Sequence, residues 1–226
     1  MYVSGNSENL LSKHNPNILR IEKSRKYKVV KEALNFDSLA YGQADVQVKM
    51  LGLENYHKRG YTGRGVKIAL FDAGFYKLDS IKAFDSLLKR NGIIAKRDFP
   101  SQNSNVYDDD AHGMYVLSLI SGYVMDSLTG TAPDANFVLA RTEIVSSETH
   151  MEEFYWIKAM EWADSIGVDI IHSSLGYSNF DTLQGNYTYQ DMDGESTIIT
   201  RAAQMAYQKG IFITNSAGNE GAKKWR

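Results

Sequence analysis

The segment Val66-Lys67-Ile68-Ala69-Leu70-Phe71-Asp72-Ala73-Gly74 is a short apolar run that ends in an acid and a glycine. A strand of a helix-covered parallel sheet reads this way, and Gly74 gives the backbone room to turn once the strand has ended. Three further runs have the same character, at Phe137 to Arg141, Val168 to Ser173 and Gly210 to Thr214. The stretches between them carry helical signals. Thr149 with Glu152 three residues later forms a capping box, Tyr155, Ala159, Trp162 and Ile166 make one apolar stripe, and Gly167 ends the helix. A second helix is expected from about Thr197 to Lys209, with Ile198, Ala202 and Met205 on one face and Gly210 as its stop. A third, Gly113 to Ser121, is mostly apolar. Strand runs alternating with helices predict an α/β fold, a parallel doubly wound sheet with helices on both faces.

The rest of the chain frames that pattern. From Met1 to about Tyr41 polar residues dominate, and only Ile18, Leu19, Ile21, Val29 and Val30 suggest short strands. Such a segment is too short and polar to fold alone. The 226 residues are 43% apolar, enough for a buried core, and 25 basic against 27 acidic residues leave a formal charge of -2. That balance gives no electrostatic reason to expect nucleic acid or an anionic membrane as partner. No window approaches the roughly 20 apolar residues of a membrane span, and Met1 to Asn17 lacks the apolar core of a signal segment. The absence of cysteine excludes disulfides, thiolate catalysis and cysteine-ligated zinc, and leaves the compartment open.

Asp72 falls at the carboxyl end of a strand, where an open parallel sheet puts its chemistry. Alone, an acid there is most simply a helix cap. A phosphatase of the haloacid dehalogenase type would need a second Asp two residues on, where this chain has Gly74. A dinucleotide fold needs its glycines after the strand, whereas Gly60, Gly63 and Gly65 precede it. His112 follows Asp108, Asp109, Asp110 and Ala111 and starts the third helix, so its ring is expected at the sheet's edge. Consecutive aspartates cannot all point at one ion, so the run reads as a solvated loop rather than a metal site. His14, His57, His150 and His172 have no motif around them, and His172 is expected to be a hydrogen-bonded core residue.

Taken in order, the motifs say more. Gly60 to Gly74, then His112-Gly113, then Ser173-Ser174-Leu175-Gly176, then Ser216-Ala217-Gly218-Asn219-Glu220-Gly221 follow the order found in subtilisin-like serine proteases. From about Gly42 to its end the chain resembles that family. The resemblance implies a triad in which His112 is the general base and Asp72 holds its tautomer, with Asn219 as an oxyanion donor. It implies that Ser174, Leu175 and Gly176 form the edge that pairs with an extended polypeptide substrate. Ser216, Ala217 and Gly218 would form the other wall of the primary specificity pocket.

The departures from the family are equally specific. Met114 stands where the family usually has Thr after His-Gly, and no Gly-Thr-Ser-Met-Ala type nucleophile motif occurs in the chain. Ser118, Ser121 and Ser216 lack the glycine-framed helix start that exposes a nucleophile. Residues 1–41 are expected to be the tail of a propeptide-like segment and linker, Asn17 to Val30 resembling its last strand. Residues 42–226 are expected to be the N-terminal part of a catalytic domain, truncated at both ends and inactive alone, with its sheet incomplete at the C-terminus and an apolar face exposed. A peptide-binding pseudoprotease and a hydrolase with Asp72 as carboxylate nucleophile stand as alternatives. Structural calcium is common in the family, yet Tyr123 to Thr131 offers only Asp126 as a carboxylate, so no cofactor or metal site is assigned. The family is mostly secreted, and the resemblance leaves oligomeric state open.

Overall fold

The computed structural model describes residues 41–181, 185–219 and 221. Two short helices, α1 (Asp45–Met50) and α2 (Leu53–Lys58), lead into strand β1 (Lys67–Asp72). A helical turn α3 (Asp85–Lys89) precedes β2 (Ile93–Asp98), and α4 (His112–Ser121) precedes a small antiparallel hairpin of β3 (Tyr123–Val124) and β4 (Leu128–Thr129). Then follow β5 (Asn136–Arg141), α5 (His150–Ile166), β6 (Ile170–Ser173), α6 (Ile198–Gln208) and β7 (Phe212–Asn215).

Five strands form one parallel sheet in the order β2-β5-β1-β6-β7. The chain goes to one side of β1 for β2 and β5 and to the other for β6 and β7. The carboxyl ends of β1, β5 and β6 therefore border the crevice where this topology places ligands. Alternation along β1 divides the core into two layers. Ala69 and Phe71 face α5 and α6 in a cluster with Val138, Ala140, Trp156, Met160 and Ile171. Ile68 and Leu70 face α4 and the loops after β1, with Phe75, Leu78, Phe84, Leu117, Phe137 and Leu139. The expected fold class, a parallel sheet with helices on both faces, is the one observed.

Details differ from the expectation for definable reasons. The Thr149–Glu152 capping box is present, and Gly167 closes α5 in a left-handed conformation at φ 75°. The fully buried stripe of α5, however, runs through Trp156, Ala159, Met160 and Ala163, while Tyr155, Trp162 and Ile166 pack at its margins. α5 touches both the sheet and α6, so its apolar face is broader than one stripe. α6 starts where expected, with Thr197 as its N-cap accepting from the Thr200 N–H, but Met205 is exposed and Ala206 takes the inward position beside Ala202. Strand β2 was not anticipated because Lys96, Arg97 and Asp98 interrupt its apolar run. As an edge strand it needs only one partner, β5. β7 is the other edge, and its Phe212 is half exposed.

His57 is a buried structural residue, with Tyr41 Oη 3.0 Å from Nδ1 and the Thr131 carbonyl 3.0 Å from Nε2. The expected segment 1–41 lies, up to residue 40, outside the described residues. Among the described residues no helix is long and apolar enough to cross a membrane.

Candidate active site

The end of β1 and the start of α4 meet at two side chains. Asp72 is 1% exposed, and its Oδ1 lies 2.7 Å from His112 Nδ1 and accepts from the Ala73 N–H at 2.8 Å. A carboxylate partner fixes the His112 tautomer with its proton on Nδ1, which leaves Nε2 as the basic nitrogen. The His112 side chain is 52% exposed, so that nitrogen faces the open side of the site. Burial pushes the Asp72 carboxyl above its usual range, with the charge of Asp110 adding to it, against the downward pull of His112 and the Ala73 N–H.

Two glycines allow this approach. A Cβ on Gly113 would meet the Gly74 carbonyl oxygen at 2.6 Å and Asp72 Cβ at 2.8 Å. One on Gly74 would meet the Asp110 backbone at 2.6 Å. The loop between β2 and α4 is in turn tied to the turn after β1: the N–H groups of Phe75 and Tyr76 donate to the carbonyls of Val106 and Asp110. The aspartates of this loop have definite partners rather than water alone. Asp110 Oδ1 accepts from the His112 N–H at 2.7 Å, and Asp109 lies 3.3 Å from Arg141 Nε. Arg141 is the register partner of Asp72 across β1 and β5, donates to the Ala73 carbonyl and holds buried Asp98 through Nη1 at 3.1 Å to both oxygens. A cation thus bridges the strand ends directly behind Asp72.

Ser174, Leu175 and Gly176 continue from β6 and line, with His112 and Ala73, a cleft of about 380 Å³. Ser216 is drawn to the same segment: its N–H donates to the Ser173 carbonyl at 3.0 Å and its hydroxyl to the Leu175 carbonyl at 3.2 Å. Ala217, Gly218 and Asn219 continue outward as exposed chain, with Gly218 left-handed at φ 80°. His112 and the 174–176 edge therefore share one cleft, with Asp72 buried behind the imidazole, whereas 217–219 extend beyond it. A second hollow of about 330 Å³, along the β2 edge around Leu88, Ile93 and Tyr107, is separate from these residues.

Residues 63–225 match the model of the subtilase family of peptidases. The chain belongs to the subtilase family. Subtilisin E of Bacillus subtilis (strain 168) is 28% identical over 187 residues, which cover 82% of this chain and 41% of that protein. Subtilisin of Bacillus pumilus is also 28% identical over 187 residues and is covered to 57%. The chain thus spans roughly half the length of these curated relatives or less. Among solved structures, that of MycP1 with its N-terminal propeptide removed superimposes with a TM-score of 0.56 at 22% identity, covering 79% of this chain and 49% of that one. At that identity the likeness concerns the fold.

Within this subtilase domain, Met114 is explained by packing: it is buried among Phe75, Leu117 and Leu139. His172, expected in the core, is half buried, with Nδ1 2.8 Å from Thr214 Oγ1 and Nε2 2.9 Å from Ser174 Oγ. Burial lowers its pKa, which favours the neutral ring. The stretch 123–131, considered for calcium, forms the β3–β4 hairpin with Asp126 as its only carboxylate. One carboxylate does not fit a cation that takes six to eight oxygens, and among the described residues no three acidic or histidine side chains are placed to hold a metal. Sequence reasoning missed Glu143 and Glu148, which also line the cleft. Glu143 follows β5 as Asp72 ends β1, so the strand-end rule that singled out Asp72 points to it as well.

Proposed function

We propose that this chain carries the base-bearing half of a serine endopeptidase site, the nucleophile belonging to a motif outside these 226 residues. The observation that carries the reading is the 2.7 Å contact of a buried carboxylate with the Nδ1 of a half-exposed imidazole. In this reading His112 Nε2 takes the proton of a serine hydroxyl as that oxygen attacks the scissile carbonyl, then gives it to the leaving amine. Asp72 holds the tautomer and stabilises the imidazolium. Asn219 donates its side-chain amide to the oxyanion, and Ser174–Gly176 with Ser216–Gly218 flank an extended polypeptide.

The test is to sequence the coding region beyond Arg226 and to treat both the 226-residue chain and any longer product with a serine-directed fluorophosphonate. A longer chain that labels, and loses labelling on His112→Ala, supports the reading. Labelling of the 226-residue chain would overturn the placement of the nucleophile. A stop codon after Arg226 would leave a domain able to bind peptides but not to cleave them by this route.

A further inference from the structure

The cleft beside His112 is lined by both acidic and apolar residues. Glu143, Glu148, Glu152 and Asp110 line it together with Ile144 and Val145. Two of these acids are committed: Glu152 accepts the N–H groups of Ile144 and Thr149, and Asp110 accepts that of His112. Glu143 is different. It is only 8% exposed, and a single oxygen, Oε1, takes both hydroxyl donors, Tyr177 at 2.5 Å and Thr142 at 2.9 Å. Among the described residues its Oε2 has no hydrogen-bond partner, and no ion pair involves Glu143 or Glu148. A carboxylate with one oxygen held in place and the other without a donor can accept a hydrogen bond from a ligand in the cleft it lines.

We propose that this cleft receives a basic side chain, guanidinium or ammonium, of the polypeptide that lies along Ser174–Gly176. The proposal rests on the peptidase reading above and adds a substrate class to it. Ile144 and Val145 suit the aliphatic stem of lysine or arginine, while Glu143 and Glu148 meet its charged head. A metal fits less well, because among the described residues no three acids or histidines converge as ligands. Burial also holds Glu143 protonated until about pH 7, with Glu152 and Glu148 adding to the effect against the two hydroxyl donors, so an arriving cation would draw it into the charged form.

The experiment uses the 226-residue chain and blocked extended hexapeptides in which one arginine is moved through each position, each paired with its citrulline isostere. Calorimetry at pH 8 is expected to give about tenfold tighter binding for arginine at one position, as for a charge-assisted hydrogen bond. The advantage should shrink below pH 7 and vanish in Glu143→Gln/Glu148→Gln, with circular dichroism verifying that the variant is folded. Equal binding of both peptides would sink the basic pocket and leave the peptide edge standing. An arginine preference that survives in the double variant would place it elsewhere. Binding of neither peptide would remove the peptidase reading and this proposal with it. Competition by micromolar calcium alone would make the cleft a metal site instead.

Discussion

The carboxyl ends of β1, the central strand, and β7, an edge strand, lie at the same end of the parallel sheet but are built differently. At β1 the terminal Asp72 is enclosed by Gly74, Gly113 and the 108–112 loop, with Arg141 bridging behind it. At β7 the chain runs out through Ser216 into exposed Ala217, Gly218 and Asn219. The difference teaches that a motif locates a residue, whereas preorganisation comes from what surrounds it. It also predicts where substitutions will be felt in the folded chain.

The largest effect is expected from Arg141→Met. Asp98 is buried and held by both oxygens, so losing its cation leaves an uncompensated charge, worth about 3–5 kcal/mol. Urea unfolding should show the loss, and the Hδ1 proton between His112 and Asp72, expected as a downfield NMR resonance in the parent chain, should give a weaker signal as the Ala73 carbonyl is released. An Arg141→Met chain as stable as the parent would mean that the β1 end is not held from behind.

Glu143→Gln should act in the opposite direction. The folded chain binds its proton up to about pH 7 and the unfolded chain releases it near 4.5, so stability falls as pH rises through that window. Removing the ionisation should therefore stabilise the protein on the order of 3 kcal/mol at pH 8 and hardly at all at pH 4. Thermal melts at the two pH values check this, and an equal change at both would show that Glu143 ionises freely.

Gly113→Ala probes the contact itself. The added Cβ falls 2.6 Å from the Gly74 carbonyl, so α4 must shift, at a cost of about 1–3 kcal/mol. The same shift should separate His112 from Asp72 and remove the downfield proton signal. Retention of that signal would show that the helix start is more pliant than its packing suggests.

How much of this was legible beforehand follows the same contrast. The runs at β1 and β5 were readable because strands covered on both faces stay apolar throughout, and those at β6 and β7 because their sequences remain mostly apolar although β7 is an edge. Edge strand β2 hid behind Lys96 and Arg97, whose heads need no burial, and Asp98, whose burial is paired by Arg141 from β5. Asp72 and His112 were findable from strand end, helix start and motif order. Glu143 was within reach of the same strand-end rule, but its pairing with Tyr177 and that of Arg141 with Asp98 were not, because those partners lie 34 and 43 residues away in the chain and no local pattern records them. The aspartate run looked like a solvated loop because a charge cluster discloses its partners only in three dimensions.

The smallest effect is expected at the other end. Asn219 is exposed and, among the described residues, no hydrogen bond of its side chain contributes to the fold. Asn219→Ala should therefore leave the urea midpoint within about 0.5 kcal/mol and the His112 resonance in place. If Asn219 is an oxyanion donor, that neutrality follows from the mechanism as well as from exposure. Its amide would be needed only when negative charge develops on the substrate, so its contribution would lie in the transition state and not in the ground state of the free chain. A loss of 2 kcal/mol or more, by contrast, would mean that the β7 end is braced by contacts like those around Asp72, and the difference between the two strand ends would disappear.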